Sequence, residues 1–445
     1  MPASPARTAA FDILLRVERE SSFATELLHS AALDQLSTAD HALAMELVMG
    51  VLRWRSDLDE EIAAASAQPL TKLDLEILIA LRLAVYQFRH LDRIPARAAL
   101  HESVELVKRS RKRSAAPFVN AVLRKLSSSQ HGPAKADGDL DSPESIARAL
   151  AHPSWLVERW AREYGLSAAK QICRHNQIVP QAAIRLRRAT AEDELAKTGI
   201  VLIPGKILRS AQLVQSGDIT KTAFFRAREI VIQDEASQLV AILVGEGSNV
   251  LDCCAAPGGK TLAISDRNAG STILAVELHP HRARLLQTLL APSRARIGVI
   301  VADARNLPTL QRFDRVLADV PCSGTGTLAR NPEIKWRLKP EDLANLRRRQ
   351  RAILRSAMAQ VAAGGRLVYS TCSLEREENE EVVEQALQED TSFRLLDCAA
   401  ELDRLKSAGE LAWSEAASLT RGPYLRTIPG THPCEGFFAA ILQRN

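Results

Sequence analysis

The spacing of apolar positions changes character along this 445-residue chain. As far as residue 128 or so it is helical, with amphipathic stretches at roughly 7–31, 39–65, 97–109 and 115–127. Among them lies LDLEILIALRLAVYQF (73–88), apolar on nearly every face. A helix with no polar face is buried by its neighbours, so the spacing predicts an all-α domain of about five to seven helices built around this segment. SSSQHGPAKADGDLDSPES (127–145) has almost no apolar content and several breakers, and reads as a linker or exposed loop. A helix rich in Trp and Leu, HPSWLVERW (152–160), follows. Shorter-period runs come next, AAIRLRR (182–188), VLIPGKIL (201–208) and FFRAREIVIQDEASQLVAILV (224–244), which predict a small α/β region.

From about residue 248 short apolar runs alternate with amphipathic helices. The runs NVLDCC (249–254), TILAVEL (272–278), IGVIVAD (297–303), DRVLADV (314–320) and GRLVYST (365–371) predict strands, and 280–291 and 342–362 predict helices between them. That alternation implies a parallel sheet covered on both faces. A last run, GFFAAIL (436–442), predicts an added edge strand. The pattern divides the chain into a helical domain (1–130), a linker (131–147), a small α/β subdomain (148–222) and an α/β domain (223–445).

Composition narrows the class. With 46% hydrophobic and 25% charged residues the chain is globular rather than disordered. It has no apolar run of signal-peptide or membrane-spanning length, so the expectation is a cytoplasmic protein with no membrane partner. Seven cysteines, an odd number scattered over a long chain, argue for free thiols rather than a disulfide framework. Neither a Cys-x-x-Cys nor a His-x-x-x-His pair occurs, and no metal is expected. The net charge of +5 is mild, but KRSRKR (108–113) and LRRRQRAILR (346–355) concentrate it. Either cluster alone reads as a solvated helix face; the two together, beside the chemistry that follows, point to a polyanion.

Ligands of open α/β sheets bind beyond the carboxyl ends of the strands. The first strand delivers CCAAPGGKT (253–261), where Cys254, Ala255, Ala256, Pro257, Gly258, Gly259 and Lys260 let backbone approach a ligand and lead into a helix N-terminus. Neither the G-x-G-x-x-G nor the P-loop pattern is present. The second strand ends in Glu277, suited to ribose hydroxyls, and the third in Asp303, placed to accept a donor from a purine edge. A nucleoside site without a triphosphate motif indicates S-adenosylmethionine or NAD, and nothing else in the site suggests hydride transfer. The fourth and fifth strands end in DVPCSGTGT (319–327) and YSTCS (369–373), which bring Asp319, Cys322 and Cys372. One strand-end thiol is commonly an inert small hydrophobe. Two beside a nucleoside pocket, with a carboxyl, fit methylation of cytosine at carbon 5. A thiolate adds to carbon 6, which makes carbon 5 nucleophilic, and a second group assists elimination. Asp319 fits ring nitrogen 3. These residues by themselves leave open which cysteine is the nucleophile.

The same motifs resemble the RNA 5-methylcytosine methyltransferase family of the NOL/NSUN type, and within it the branch acting on bacterial 16S ribosomal RNA. CAAPGGKT (254–261), DVPCSGTGT with NPEIKW (331–336), YSTCSLEREENE (369–380), QDEASQLV (233–240) and HPCEGFFAAIL (432–442) carry the likeness over nearly the whole chain. RAALHESVELVK (97–108) and FVNAVLRKL (118–126) are similar to NusB, an RNA-binding helical fold. The resemblance implies a multidomain protein. An all-α NusB-like domain would precede a Rossmann-like class I S-adenosylmethionine-dependent methyltransferase domain, with a small α/β RNA-binding insert domain before the latter. By the same resemblance Cys372 is the nucleophile and Cys322 assists product release. Asp319 would contact base and cofactor. Cys254 through Lys260, Glu277, Asp303 and, more weakly, Arg282 would hold S-adenosylmethionine. Ribosomal RNA of the small subunit is the implied partner, with tRNA, or a non-catalytic role in ribosome assembly, as rivals. Val320, Glu277 and Glu435 stand where the family usually has Ala, Asp and Asp.

Overall fold

The computed structural model describes residues 3–20, 22–30, 33, 35–128, 140–188, 191–291, 293–309 and 311–445. The chain forms two compact units, Met1–Val179 with Leu328–Leu338, and Pro180–Thr327 with Lys339–Asn445. Compactness thus cuts the chain at 179/180, where the apolar pattern places boundaries at 130 and 222.

The first unit is helical. The stretch expected at 7–31 is two helices, Pro5–Glu20 and Ala24–Leu28, because Phe23 takes extended backbone as the N-cap of the second. Thr38–Ala65, Leu75–His90, Ala96–Arg109 and Ala116–Ser128 follow. Leu75–His90 is the expected centre: Ile79, Ala80, Leu81, Leu83, Ala84 and Val85 are buried in one core with Leu47, Leu58 and Leu123. Gly50 is what lets Tyr86 cross Thr38–Ala65, since a Cβ at position 50 would lie 1.9 Å from its ring. The expected linker is shorter than 131–147. A helix begins at Pro143, started by a reciprocal capping box between Ser142 and Ser145; residues 131–139 lie outside the described residues. Ser154–Tyr164 and Leu166–Asn176 complete this run. Leu328–Leu338 then joins the same unit, although the pattern assigns it to the C-terminal domain. Lys335 Nζ donates to the carbonyls of Arg53 (2.9 Å) and Ala151 (2.7 Å), and Trp336 Nε1 to that of Leu52 (2.6 Å).

The second unit has two sheets. In the smaller one β1 (Ala183–Leu186), β2 (Val201–Pro204), β3 (Ala211–Ser216) and β4 (Ile230–Ile232) run antiparallel in the order β2-β3-β1-β4. The large sheet comprises β5 (Asn249–Asp252), β6 (Thr272–Glu277), β7 (Arg296–Val301), β8 (Phe313–Asp319), β9 (Val361–Thr371), β10 (Phe393–Leu396), β11 (Thr420–Arg421), β12 (Tyr424–Arg426) and β13 (Phe438–Arg444). Its order is β11-β12-β13-β9-β8-β5-β6-β7, with β10 also on β13. The five strands from β9 to β7 are parallel, and β13 is antiparallel to β9.

One expectation is corrected here. The run at 436–442 is not an edge strand, because β13 pairs with β9, β10 and β12. Its alternate residues enter opposite cores: Ala439 and Ile441 pack with Leu317 and Val368, while Phe438, Ala440 and Leu442 pack with Val316, Leu367 and Tyr369. A strand covered on both faces has no polar face to alternate, which explains its unbroken apolar run.

Candidate active site

Strand order reverses at β5, which has β6 on one side and β8 on the other, and a crevice opens beyond the carboxyl ends at such a point. Asp252 closes β5. It is buried, accepts from Thr261 Oγ1 (2.7 Å), and has its carboxyl pushed up to about 6 by burial, with the Asp319 charge adding. The loop Cys254–Gly258 leads into the helix Gly259–Arg267. Gly258 is its N-cap at φ +113°, where a side chain would be strained, and a Cβ there would come 2.7 Å from Leu286. Burial pushes the Cys254 thiol well up.

Glu277 ends β6, nearly buried, and its Oε1 accepts the His279 N–H at 2.8 Å, with Arg282 Nη1 at 4.0 Å from the same oxygen. Asp303 lies just past β7, more exposed, and its carboxylate is engaged by Arg305, whose hydrogen bond holds its pKa down. A small-residue loop at a helix start, with Glu277 on the neighbouring strand end, suits the ribose and carboxylate of a nucleoside bearing an amino-acid tail.

The other half of the site stands on β8 and β9. Asp319 pairs with Lys260 Nζ at 2.8 Å and accepts from Ser370 Oγ at 2.7 Å. Burial disfavours the Lys260 charge, but Asp319, and then negative charge on Cys372, outweigh it and raise its pKa. Cys322 Sγ and Cys372 Sγ are 3.4 Å apart. The hydrogen bond shared with Cys372, and then burial, push the Cys322 thiol well up. Asp319 with Lys260, and Cys322 with Cys372, are thus two close pairs at the carboxyl ends of the adjacent strands β8 and β9. All seven cysteines are free, and Cys173, Cys253, Cys398 and Cys434 are buried. Among the described residues no cluster of His, Cys, Asp or Glu could hold a metal, and no helix is long and apolar enough to cross a membrane.

Sequence reasoning passed over the residues that hold these pairs. Gly326 N donates to Cys372 O (2.9 Å), and Gly436 N to Gly326 O (2.8 Å). A Cβ on Gly326 would lie 2.1 Å from Gly436 O, so backbone touches backbone there. The Gly-Thr-Gly run signalled a turn, but nothing in the sequence pairs it with Gly436. Buried Glu378 lies within YSTCSLEREENE, where nothing in the sequence marks it out among its acidic neighbours. The basic clusters are less available than their composition suggests. Lys108, Arg109 and Lys112 pair with Glu105, Asp12 and Asp74, and Arg347 and Arg351 with Glu381 and Glu389. Arg111 and Arg113 of the first cluster, and Arg348, Arg349 and Arg355 of the second, remain exposed cations.

Comparison with known proteins agrees with this architecture. Residues 240–443 match the family described as 16S rRNA methyltransferase RsmB/F, and residues 4–128 the NusB family. The Bacillus subtilis protein named "Probable ribosomal RNA small subunit methyltransferase B" is 35% identical over 100% of both chains. "Ribosomal RNA small subunit methyltransferase B" of Vibrio cholerae is 31% identical over 93% of this chain and 92% of its own. Among solved structures, "Crystal Structure of PH0851" superposes with a TM-score of 0.80 at 22% identity, covering 99% of each chain.

Proposed function

The chain belongs to the 16S rRNA methyltransferase RsmB/F family, and from that membership we propose that it transfers a methyl group from S-adenosylmethionine to carbon 5 of a cytosine in small-subunit ribosomal RNA, in the cytoplasm. The observation that carries this reading is the pair of thiols, Cys322 and Cys372, 3.4 Å apart at adjacent strand ends, with the Asp319–Lys260 pair on the same strand ends.

S-adenosylmethionine would supply a sulfonium methyl as electrophile. Glu277 would take the ribose hydroxyls, Asp303 the purine edge, and the Cys254–Lys260 loop the amino-acid tail, with Arg282 beside Glu277. Cys372 would add through its thiolate to carbon 6 of the base, which makes carbon 5 nucleophilic. Asp319, steadied by Lys260 and Ser370, would hydrogen-bond ring nitrogen 3. Cys322 would assist departure of the carbon 5 proton and elimination of Cys372. The target base would leave its stack to reach the strand-end loops.

The test uses undermodified ribosomal RNA and labelled cofactor. Cys372→Ala should abolish both turnover and covalent adduct, whereas Cys322→Ala should accumulate a protein–RNA adduct resistant to denaturation. An adduct formed by Cys372→Ala would reverse the roles, and no transfer by the unmodified protein would defeat the reading.

A further inference from the structure

We propose that Cys322 and Cys372 are also a modification site: hydrogen peroxide closes them into a disulfide that halts the strand-end chemistry, and a thiol reductant reopens it. The loss of activity rests on the two-thiol reading above; formation of the bond does not.

Joining two thiols requires their backbones at a set distance. The Cα atoms of a disulfide are usually about 4.4–6.8 Å apart, and neighbouring strands lie about 4.7–4.9 Å apart. β8 and β9 are such neighbours, with Asp319 opposite Ser370. The two segments stay side by side beyond the strands. Val320 N donates to Ser370 O at 3.0 Å, and Gly326 N to Cys372 O at 2.9 Å. Ser323 Oγ and Ser373 Oγ lie 3.0 Å apart, and Leu374 N donates to Thr325 Oγ1 at 2.9 Å. The buried Glu378 carboxyl ties the same loops. One oxygen accepts the Ser323 N–H (2.9 Å) and Gln350 Nε2 (2.7 Å), and the other accepts Ser373 Oγ (2.5 Å). Ser323 and Ser373 directly follow the two cysteines, so the ties hold both thiols alike. Between them the sulfurs are 3.4 Å apart. Closing a bond of about 2.0 Å then asks for side-chain rotation, with the loops already in place.

Access sets the pair apart from most other cysteines. Cys322 and Cys372 are partly exposed, whereas Cys173, Cys253, Cys398 and Cys434 are buried. Cys254 is partly exposed as well, but among the described residues only Cys322 and Cys372 bring their sulfurs into contact.

Hydrogen peroxide supplies the oxidant. Attack by one thiolate forms an S–O bond as the O–O bond breaks, giving a sulfenic acid and water. The other thiol attacks that sulfur; the S–S bond forms, the S–O bond breaks, and hydroxide leaves with the thiol proton as a second water. Each sulfur gives up one electron and the peroxide takes two, whichever thiol reacts first. Neither sulfur then remains to add to carbon 6 or to assist elimination. The second thiol also intercepts the sulfenic acid before it reaches the irreversible sulfinic state.

The test exposes the full-length protein, without RNA or cofactor, to a few equivalents of hydrogen peroxide, caps free thiols with N-ethylmaleimide and maps peptides without reduction. A peptide pair joined through Cys322 and Cys372 is the expected product. Methyl transfer to undermodified ribosomal RNA should fall by about tenfold or more and return with dithiothreitol. Cys322→Ser and Cys372→Ser each remove the partner, and the thiol left behind should go on to sulfinic acid under the same treatment. Free thiols or sulfinic acid in the wild type, without the joined peptides, overturn the proposal, as does a linkage to any other cysteine. So does a joined protein that transfers methyl groups as fast as the reduced one. Joined peptides from a protein that transfers nothing even when reduced would support the modification site and count against the methyl-transfer reading alone.

Discussion

Two lysines, one in each unit, are withdrawn from solvent beneath an aromatic ring, and they differ in one partner. Lys260 Nζ lies 4.9 Å from the Phe437 ring and Lys335 Nζ 5.0 Å from that of Trp336. Lys260 has the Asp319 carboxylate at 2.8 Å, and its pKa is raised. Lys335 has two carbonyl oxygens, and burial pushes its pKa down to about 7. Carbonyls and a ring face satisfy the N–H donors, but they do not offset the cost of removing a full charge from water; a carboxylate does. The contrast separates a lysine kept for its charge from one kept for its hydrogen bonds.

The largest effect expected from breaking this contrast is on catalysis. Lys260→Met removes the cation beside Cys372 and Asp319, and methyl transfer should fall by roughly 10²–10³-fold, the scale for losing one preorganised electrostatic contact. A near-normal rate with labelled cofactor would show that the charge is dispensable. Lys335→Met should instead leave the rate per folded molecule unchanged. It should cost the helical unit about 1–3 kcal/mol, because two buried carbonyls lose their donor; urea unfolding followed by far-UV circular dichroism measures this.

The smallest effect is a pH slope. The Lys335 pKa when folded, about 7, is below its ordinary 10.5. Between those values the unfolded chain binds a proton that the folded chain does not, so stability rises with pH across that window. The cost of burying the charge is complete below the lower value. The slope is at most about 1.4 kcal/mol per pH unit. The difference in melting temperature between wild type and Lys335→Met should therefore grow in favour of the wild type from pH 7 to pH 9. A constant difference would mean that Lys335 keeps its proton.

The two lysines also show how much of the molecule could be read in advance. Lys260 directly follows a Pro-Gly-Gly turn at a strand end, where period, breakers and chemistry coincide, and its place in the strand-end loop was legible, though its pairing with Asp319 was not. Asp319, Cys322 and Cys372 were legible for the same reason: strand ends in a parallel sheet face one crevice. Lys335 was readable only as a letter in a motif, because its partners are carbonyls 282 and 184 residues away, and carbonyls leave no mark in a sequence. The role of β13 was hidden differently. Its continuous apolar run fits a two-sided strand as well as a short added one, and only pairing on both sides distinguishes them. Glu378 looked like one acid in a charged run, since its donors come from three separate segments.

Leu328–Leu338 joins a unit whose other residues end at Val179. During synthesis the first 179 residues emerge while the piece carrying Lys335 and Trp336 has yet to be made. The carbonyls of Leu52, Arg53 and Ala151 must wait for their donors until roughly three quarters of the polypeptide exists. The helical portion is therefore completed only after much of the other unit has been made, and its completion reports that the ribosome has already passed the codons for Asp319 and Cys322.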